Sequence, residues 1–266
     1  MKFLGAKDRG KISIFGVPYD GTTCFRPGTR FGPAGIRFFS GNLETYSPFL
    51  DKDLEDVDFI DAGDVDVPAS SEGMVRTVYS FMRNIDIPVM LGGEHSVTFP
   101  VVKALKERYE NLTVVHFDAH ADLRDVYSGT VYSHACVMRR ILELGCEIVH
   151  VGVRSGTAEE FNLIRENPLL NLIEIKRLPE VLKDKQNVYL SIDIDYFDPA
   201  FAPGTGTPEP CGGVPVEFFP IIYNFPPVNV VGFDVVEVSP PYDFSGITQM
   251  LAAKIVRELI LKFWGG

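Results

Sequence analysis

Residues 113–122 read Thr-Val-Val-His-Phe-Asp-Ala-His-Ala-Asp. The first half, Thr113–Phe117, is short, β-branched and largely apolar at every position, the pattern of a strand buried on both faces of a parallel sheet. The second half turns polar, with Asp118, His120 and Asp122 at alternate positions. In extended chain, side chains two residues apart share a face, so these three can converge on one point. Open α/β sheets bind their ligands just beyond the carboxyl ends of strands, and the polar half lies there.

Working outward from this stretch, the same arrangement recurs. Ile87–Leu91 (IPVML) is followed by Gly92-Gly93-Glu94-His95-Ser96, Val188–Ile194 (VYLSIDI) closes on Asp193 and Asp195, and Val228–Val236 (VNVVGFDVV) runs into Glu237. Lys11–Val17, Asp58–Ile60, Glu147–Val153 and Asn171–Ile175 complete a set of about eight strand candidates. The spacing predicts helices over Ser71–Arg83, Val97–Glu110, His134–Leu144, Ala158–Arg165, Val216–Phe225 and Ser245–Phe263. Pro33 opens a short one over Ala34–Phe39, since proline is tolerated at a first helical position. Alternating strand and helix implies a parallel sheet covered on both faces.

The chain's 266 residues are enough for one large α/β domain. With no repeat and no linker-like run, a single domain over residues 1–266 is the simpler reading. No apolar run approaches the roughly 20 residues that cross a bilayer, and the N-terminus lacks the apolar stretch of a secretion signal. The expected setting is therefore the cytoplasm. Cys24, Cys136, Cys146 and Cys211 form no C-x-x-C pair, so a thiolate zinc site is not signalled and free thiols are expected. A net charge of −11 argues against nucleic acid and suits a cationic ligand or metal ions.

Where the carboxylates sit matters more than their sum. A D-x-D alone is common on solvated edges and turns. Here D-x-D, D-x-H-x-D and G-G-E-H each fall at a strand end. Carboxylates gathered in this way repel one another unless cations bind between them. His95, Asp118, His120, Asp122, Asp193 and Asp195 are too many for one closed zinc site. They suit two ions roughly 3.5–4 Å apart with shared carboxylates. Mixed carboxylate and imidazole without thiolate favours manganese, with iron(II), cobalt and zinc as competitors.

These stretches resemble the ureohydrolase family, which includes arginases and agmatinases. The resemblance is carried by Gly92–Ser96 (GGEHS), Phe117–Asp122 (FDAHAD), Ser191–Pro199 (SIDIDYFDP) and Gly232–Pro240 (GFDVVEVSP). Gly16–Thr22 (GVPYDGT) and Gly28–Arg37 (GTRFGPAGIR) extend it toward the N-terminus. It implies a three-layer α/β/α sandwich around an eight-stranded parallel sheet, assembled into trimers or hexamers. It implies two Mn2+ ions, one held by His95, Asp118, Asp122 and Asp193, the other by Asp118, His120, Asp193 and Asp195. By the same likeness, Asp122 also takes a hydrogen bond from the attacking water, Glu237 binds the guanidinium, and His134 transfers the proton that the leaving amine requires. His116 and His150, inside predicted strands, read as hydrogen-bonded core residues, and Cys136 and Arg139 as structural.

The stretch after D-x-H-x-D, Leu123–Ser133, contains no Asn. In this it resembles agmatinases rather than arginases, which grip the substrate's α-carboxylate and α-amine there through Asn and Ser; Glu94 in G-G-E-H-S points the same way. Agmatine is the first substrate candidate and aminopropylagmatine the second, with guanidinobutyrate, arginine and formiminoglutamate behind. Two readings of other kinds are a two-metal phosphoesterase and a non-catalytic binding relative. The first calls for basic side chains around the motifs, where only Arg124 stands. The second calls for lost ligands, and none is lost.

Overall fold

The computed structural model describes residues 1–266. Ten strands alternate with eight helices: β1 (Ile12–Val17), α1 (Gly32–Ser40), β2 (Tyr46–Ser47), β3 (Lys52–Asp53), β4 (Phe59–Asp64), α2 (Ser71–Phe81), β5 (Ile87–Gly92), α3 (Thr98–Lys106), β6 (Leu112–Phe117), α4 (Val137–Glu143), β7 (Glu147–Val151), α5 (Ala158–Glu166), β8 (Leu170–Ile173), α6 (Leu178–Leu182), β9 (Asn187–Asp193), α7 (Pro215–Tyr223), β10 (Asn229–Val236) and α8 (Ile247–Trp264). Eight strands form one sheet in the order β4-β1-β5-β10-β9-β6-β7-β8, and every pairing within it is parallel. The remaining two, β2 and β3, make a small antiparallel hairpin.

The continuous apolar runs of the inner strands exist because both of their faces are covered. Ile14, Val89, Val115 and Leu190 face one core with α1, α6, α7 and α8. Phe15, Met90, Val114 and Tyr189 face the other with α2, α3, α4 and α5. The result is the three-layer sandwich that the resemblance implied, with eight parallel strands.

Several helices begin or end differently from the sequence reading. The helix expected over Val97–Glu110 runs from Thr98 to Lys106, and that expected over His134–Leu144 opens with a tight 3₁₀ turn, His134–Cys136, before α4. α5 starts at a capping box. Thr157 accepts from the Glu160 N–H, and the Glu160 carboxylate accepts from the Thr157 N–H. The other Glu160 oxygen accepts from Leu123 N–H at 3.0 Å, so the same residue anchors the chain just after D-x-H-x-D.

The sheet order positions the site. β5, β10, β9 and β6 are the four central neighbours. They are the strands whose carboxyl ends carry G-G-E-H, Glu237, D-x-D and D-x-H-x-D. At Gly93 the chain leaving β5 passes the chain leaving β1 so closely that a Cβ would sit 1.9 Å from the Tyr19 carbonyl oxygen. Only glycine fits there.

Candidate active site

His95 stands in a 3₁₀ turn just past β5 and is 1% exposed. Its backbone N–H donates to Glu237 Oε1 at 2.8 Å, tying the end of β5 to the end of β10. Its Nε2 lies 2.9 Å from Ser191 Oγ. The other nitrogen, Nδ1, faces Asp118 Oδ2 at 3.0 Å, Asp193 Oδ2 at 3.2 Å and Asp122 Oδ2 at 3.3 Å. His120 Nδ1 lies 2.9 Å from Asp195 Oδ2 and 3.4 Å from Asp118 Oδ1. Backbone donors fix the carboxylates: Asp118 Oδ1 accepts from His120 N–H, Asp193 Oδ1 from Asp195 N–H and Asp195 Oδ1 from Ala119 N–H.

Two groups of possible ligands thus form around Asp118: His95, His116, Asp118 and Asp122 on one side, and Asp118, His120 and Asp195 on the other. Asp193 adjoins His95 but falls outside both groups, and Asp118 faces both His95 and His120. Asp122 (φ 53°) and Glu237 (φ 60°) adopt left-handed backbone that non-glycine residues rarely take. Strain of this kind gathers at functional sites, where the surroundings must hold it in place. Beside the ligands opens a cleft of about 250 Å³, lined among others by His120, Asp122, His134, Asp193 and Glu237.

The electrostatics are those of an anion cluster. Burial raises the carboxyl groups of Asp193, Asp195 and Glu237 above their ordinary range, and neighbouring carboxylates raise them further. Burial also acts to raise Asp118, but the imidazoles of His116, His120 and His95 outweigh it and hold that carboxyl well below the usual range.

The donor set fits divalent cations on a specific ground. His95 Nδ1 is buried and has no hydrogen-bond partner. With Nε2–H given to Ser191, a neutral ring turns its Nδ1 lone pair to three carboxylate oxygens. Burial acts to lower His95, but these carboxylates outweigh it and raise it well above its ordinary range unless a cation takes the place of the proton. Lone pair against anionic oxygen at about 3 Å is repulsive, and a cation between them turns repulsion into coordination.

The sequence reading missed a polar row beneath the ligands. Asp234 on β10, Ser191 on β9, His116 on β6 and His150 on β7 stand side by side in register across the sheet, all fully buried. Asp234 accepts hydroxyl donors from Ser191, Tyr189 and Thr98. His116 joins Asp118 Oδ2 at 2.8 Å and His150 Nδ1 at 2.9 Å, while His150 Nε2 has no partner. His116 was expected to be a core residue, and it is one, but it also backs Asp118 directly; His150 is only half satisfied. A signal was available: His116 and Ser191 each lie two residues before an expected ligand, on the same strand face.

A parallel sheet with a carboxylate–imidazole cluster at its central carboxyl ends defines an α/β protein whose buried side chains could hold metal ions. The model of the arginase family matches residues 10–262. Over 268 residues the chain is 43% identical to an agmatinase of Bacillus cereus, covering 96% of this chain and 92% of that one. An agmatinase of Bacillus subtilis is 42% identical over 263 residues, covering 94% and 91%. The crystal structure of the agmatine ureohydrolase of Thermoplasma volcanium superposes with a TM-score of 0.89 at 37% identity, covering 98% of this chain and 93% of that one. The chain belongs to the arginase family, and is a hydrolase of guanidino compounds.

Proposed function

We propose that this chain hydrolyses agmatine to putrescine and urea at a centre of two manganese ions. His95, Asp118, Asp122 and Asp193 would hold one ion, and Asp118, His120, Asp193 and Asp195 the other. The observation that carries the metal centre is the unpartnered His95 Nδ1 facing three carboxylates. The agmatinase relatives and the Asn-free stretch Leu123–Ser133 support the substrate.

Bound divalent ions would supply Lewis acidity that brings the pKa of water toward neutrality. The protein's own groups do the rest. Glu237 accepts His95 N–H through one oxygen and keeps the other for the planar guanidinium, a charge-assisted pairing. Asp122 orients the attacking water. As oxygen adds to the guanidinium carbon, the bond from that carbon to the alkyl-bearing nitrogen breaks, and His134 in the cleft wall gives that nitrogen its proton. One water is consumed; urea and a primary amine leave.

No helix is long and apolar enough to cross a membrane, and we place the enzyme in the cytoplasm. A homo-oligomer, trimer or hexamer, is supported by the exposed Phe31 and Phe38 at α1 and Phe244 and Ile247 at the start of α8, the helix against which α1 packs.

Urea release with manganese tests the substrate, comparing agmatine, aminopropylagmatine, guanidinobutyrate and arginine at equal concentration. The highest kcat/KM is expected with agmatine. A preference for aminopropylagmatine, giving spermidine, would replace this reading with its nearest competitor.

A further inference from the structure

The loop after β1 carries a chain of hydrogen bonds that ends on His134. Glu94 is fully buried beside His95, and its carboxylate accepts four hydrogen bonds. Oε1 accepts from Ser96 Oγ at 2.6 Å and Thr22 Oγ1 at 2.5 Å; Oε2 accepts from Thr22 N–H at 2.7 Å and Thr23 Oγ1 at 3.3 Å. A hydroxyl has one proton, and that of Thr22 is committed to Glu94. The Thr22 oxygen is left as an acceptor, and two His134 nitrogens lie within reach: the backbone N–H at 3.1 Å and ring Nδ1 at 3.3 Å. An oxygen that can only accept requires Nδ1 to carry a proton. Ser133 Oγ also lies 3.3 Å from Nδ1 and is compatible with this as an acceptor. Nε2 is then the ring position left free to hold or release a proton toward the cleft.

We propose that Thr22 and Glu94 are positioning residues for His134: Glu94 fixes the Thr22 hydroxyl, and Thr22, in direct contact with His134, fixes its ring tautomer and orientation. This rests on the reading of His134 as proton donor. A second-layer acceptor that sets which imidazole nitrogen works is a recurring device in acid–base sites. Here it acts through an interposed hydroxyl, on a loop that Glu94 clamps and whose Tyr19 carbonyl accepts Glu94 N–H at 2.8 Å.

Thr22→Val keeps the side chain's shape and removes the hydroxyl. Expected are unchanged bound manganese, a kcat lowered about tenfold, a fraction of the 10²–10⁴ that a positioned acid–base group supplies, and a smaller change in KM. Thr22→Ser restores the rate. In the His134→Asn background, itself expected to be slowed by about 10²–10⁴ with metal retained, Thr22→Val costs nothing further. Independent, multiplying losses overturn the inference while leaving His134 as the acid. Wild-type turnover in His134→Asn overturns both. A readout without turnover is the 15N spectrum of the metal-free, histidine-labelled protein, with the His134 signal assigned by its absence in His134→Asn. The Nδ1–H tautomer is expected in the wild type and the Nε2–H form in Thr22→Val; Nε2–H in the wild type overturns the proposal.

Discussion

Asp193 turns one oxygen to His95 Nδ1 and takes the Asp195 N–H with the other. If it bridges two ions, its loss removes a ligand from both at once. Asp193→Ala is therefore expected to abolish urea release and to lower bound manganese measured by elemental analysis. Full turnover by a metal-stripped Asp193→Ala protein would sink the two-ion mechanism. Cysteine reactivity gives an independent check on burial. Cys24 and Cys211 are exposed, whereas burial pushes the Cys136 and Cys146 thiols up to about 11. Thiolate is the reacting form, so a thiol titration near pH 8 should count two groups in the native protein and four after denaturation. The ligands were legible in sequence because alternate residues of one extended segment share a face. Thr22 was not, because its partners Glu94 and His134 lie 72 and 112 residues away.

Among elements, the buried row on β10, β9, β6 and β7 makes the strongest claim on stability. Asp234 alone answers three hydroxyls, from Thr98, Tyr189 and Ser191. Asp234→Ala leaves these donors without their acceptor, and an unsatisfied buried polar group costs about 1–3 kcal/mol. The variant should lose about 2–5 kcal/mol in denaturant unfolding, on the same scale, and should bind metal more weakly as Ser191 releases His95. Destabilisation below about 0.5 kcal/mol, the scale of a surface substitution, would show that water replaces the carboxylate. The central sheet strands were readable because two-sided burial writes itself as nearly unbroken apolar runs, whereas the edge strands β4 and β8 are part-exposed and carry polar residues. The hairpin β2–β3 and the five-residue α6 were not readable; such short elements lack a full period of pattern and are held by tertiary contacts.

At the scale of the molecule, the anion cluster links pH, metal and stability. Burial and neighbouring charge raise Asp193, Asp195 and Glu237 in the metal-free fold. A carboxyl raised in the folded state contributes stability below its unfolded pKa and loses it as pH rises through the folded value. Asp118, held low, has the opposite sign, and the three raised groups outnumber it. His95 and His120, also raised by the carboxylates against the pull of burial, act in the same sense as the three carboxyls. The metal-free protein should therefore weaken as pH rises above the ordinary carboxylate range, while cation binding to deprotonated ligands strengthens. Melting curves with chelator and with manganese should diverge as pH rises; a constant or shrinking gap would contradict the linkage.

The position of β10 has a consequence for how the molecule matures. Inserted between β5 and β9, it is the last strand of the sheet in chain order. Without it the sheet falls into two pieces, β4-β1-β5 and β9-β6-β7-β8, with His95 on one and the aspartates on the other. During synthesis a nascent polypeptide can carry all six expected ligands and still lack a finished cradle. The gap between His95 and the aspartates closes only when the final strand is in place.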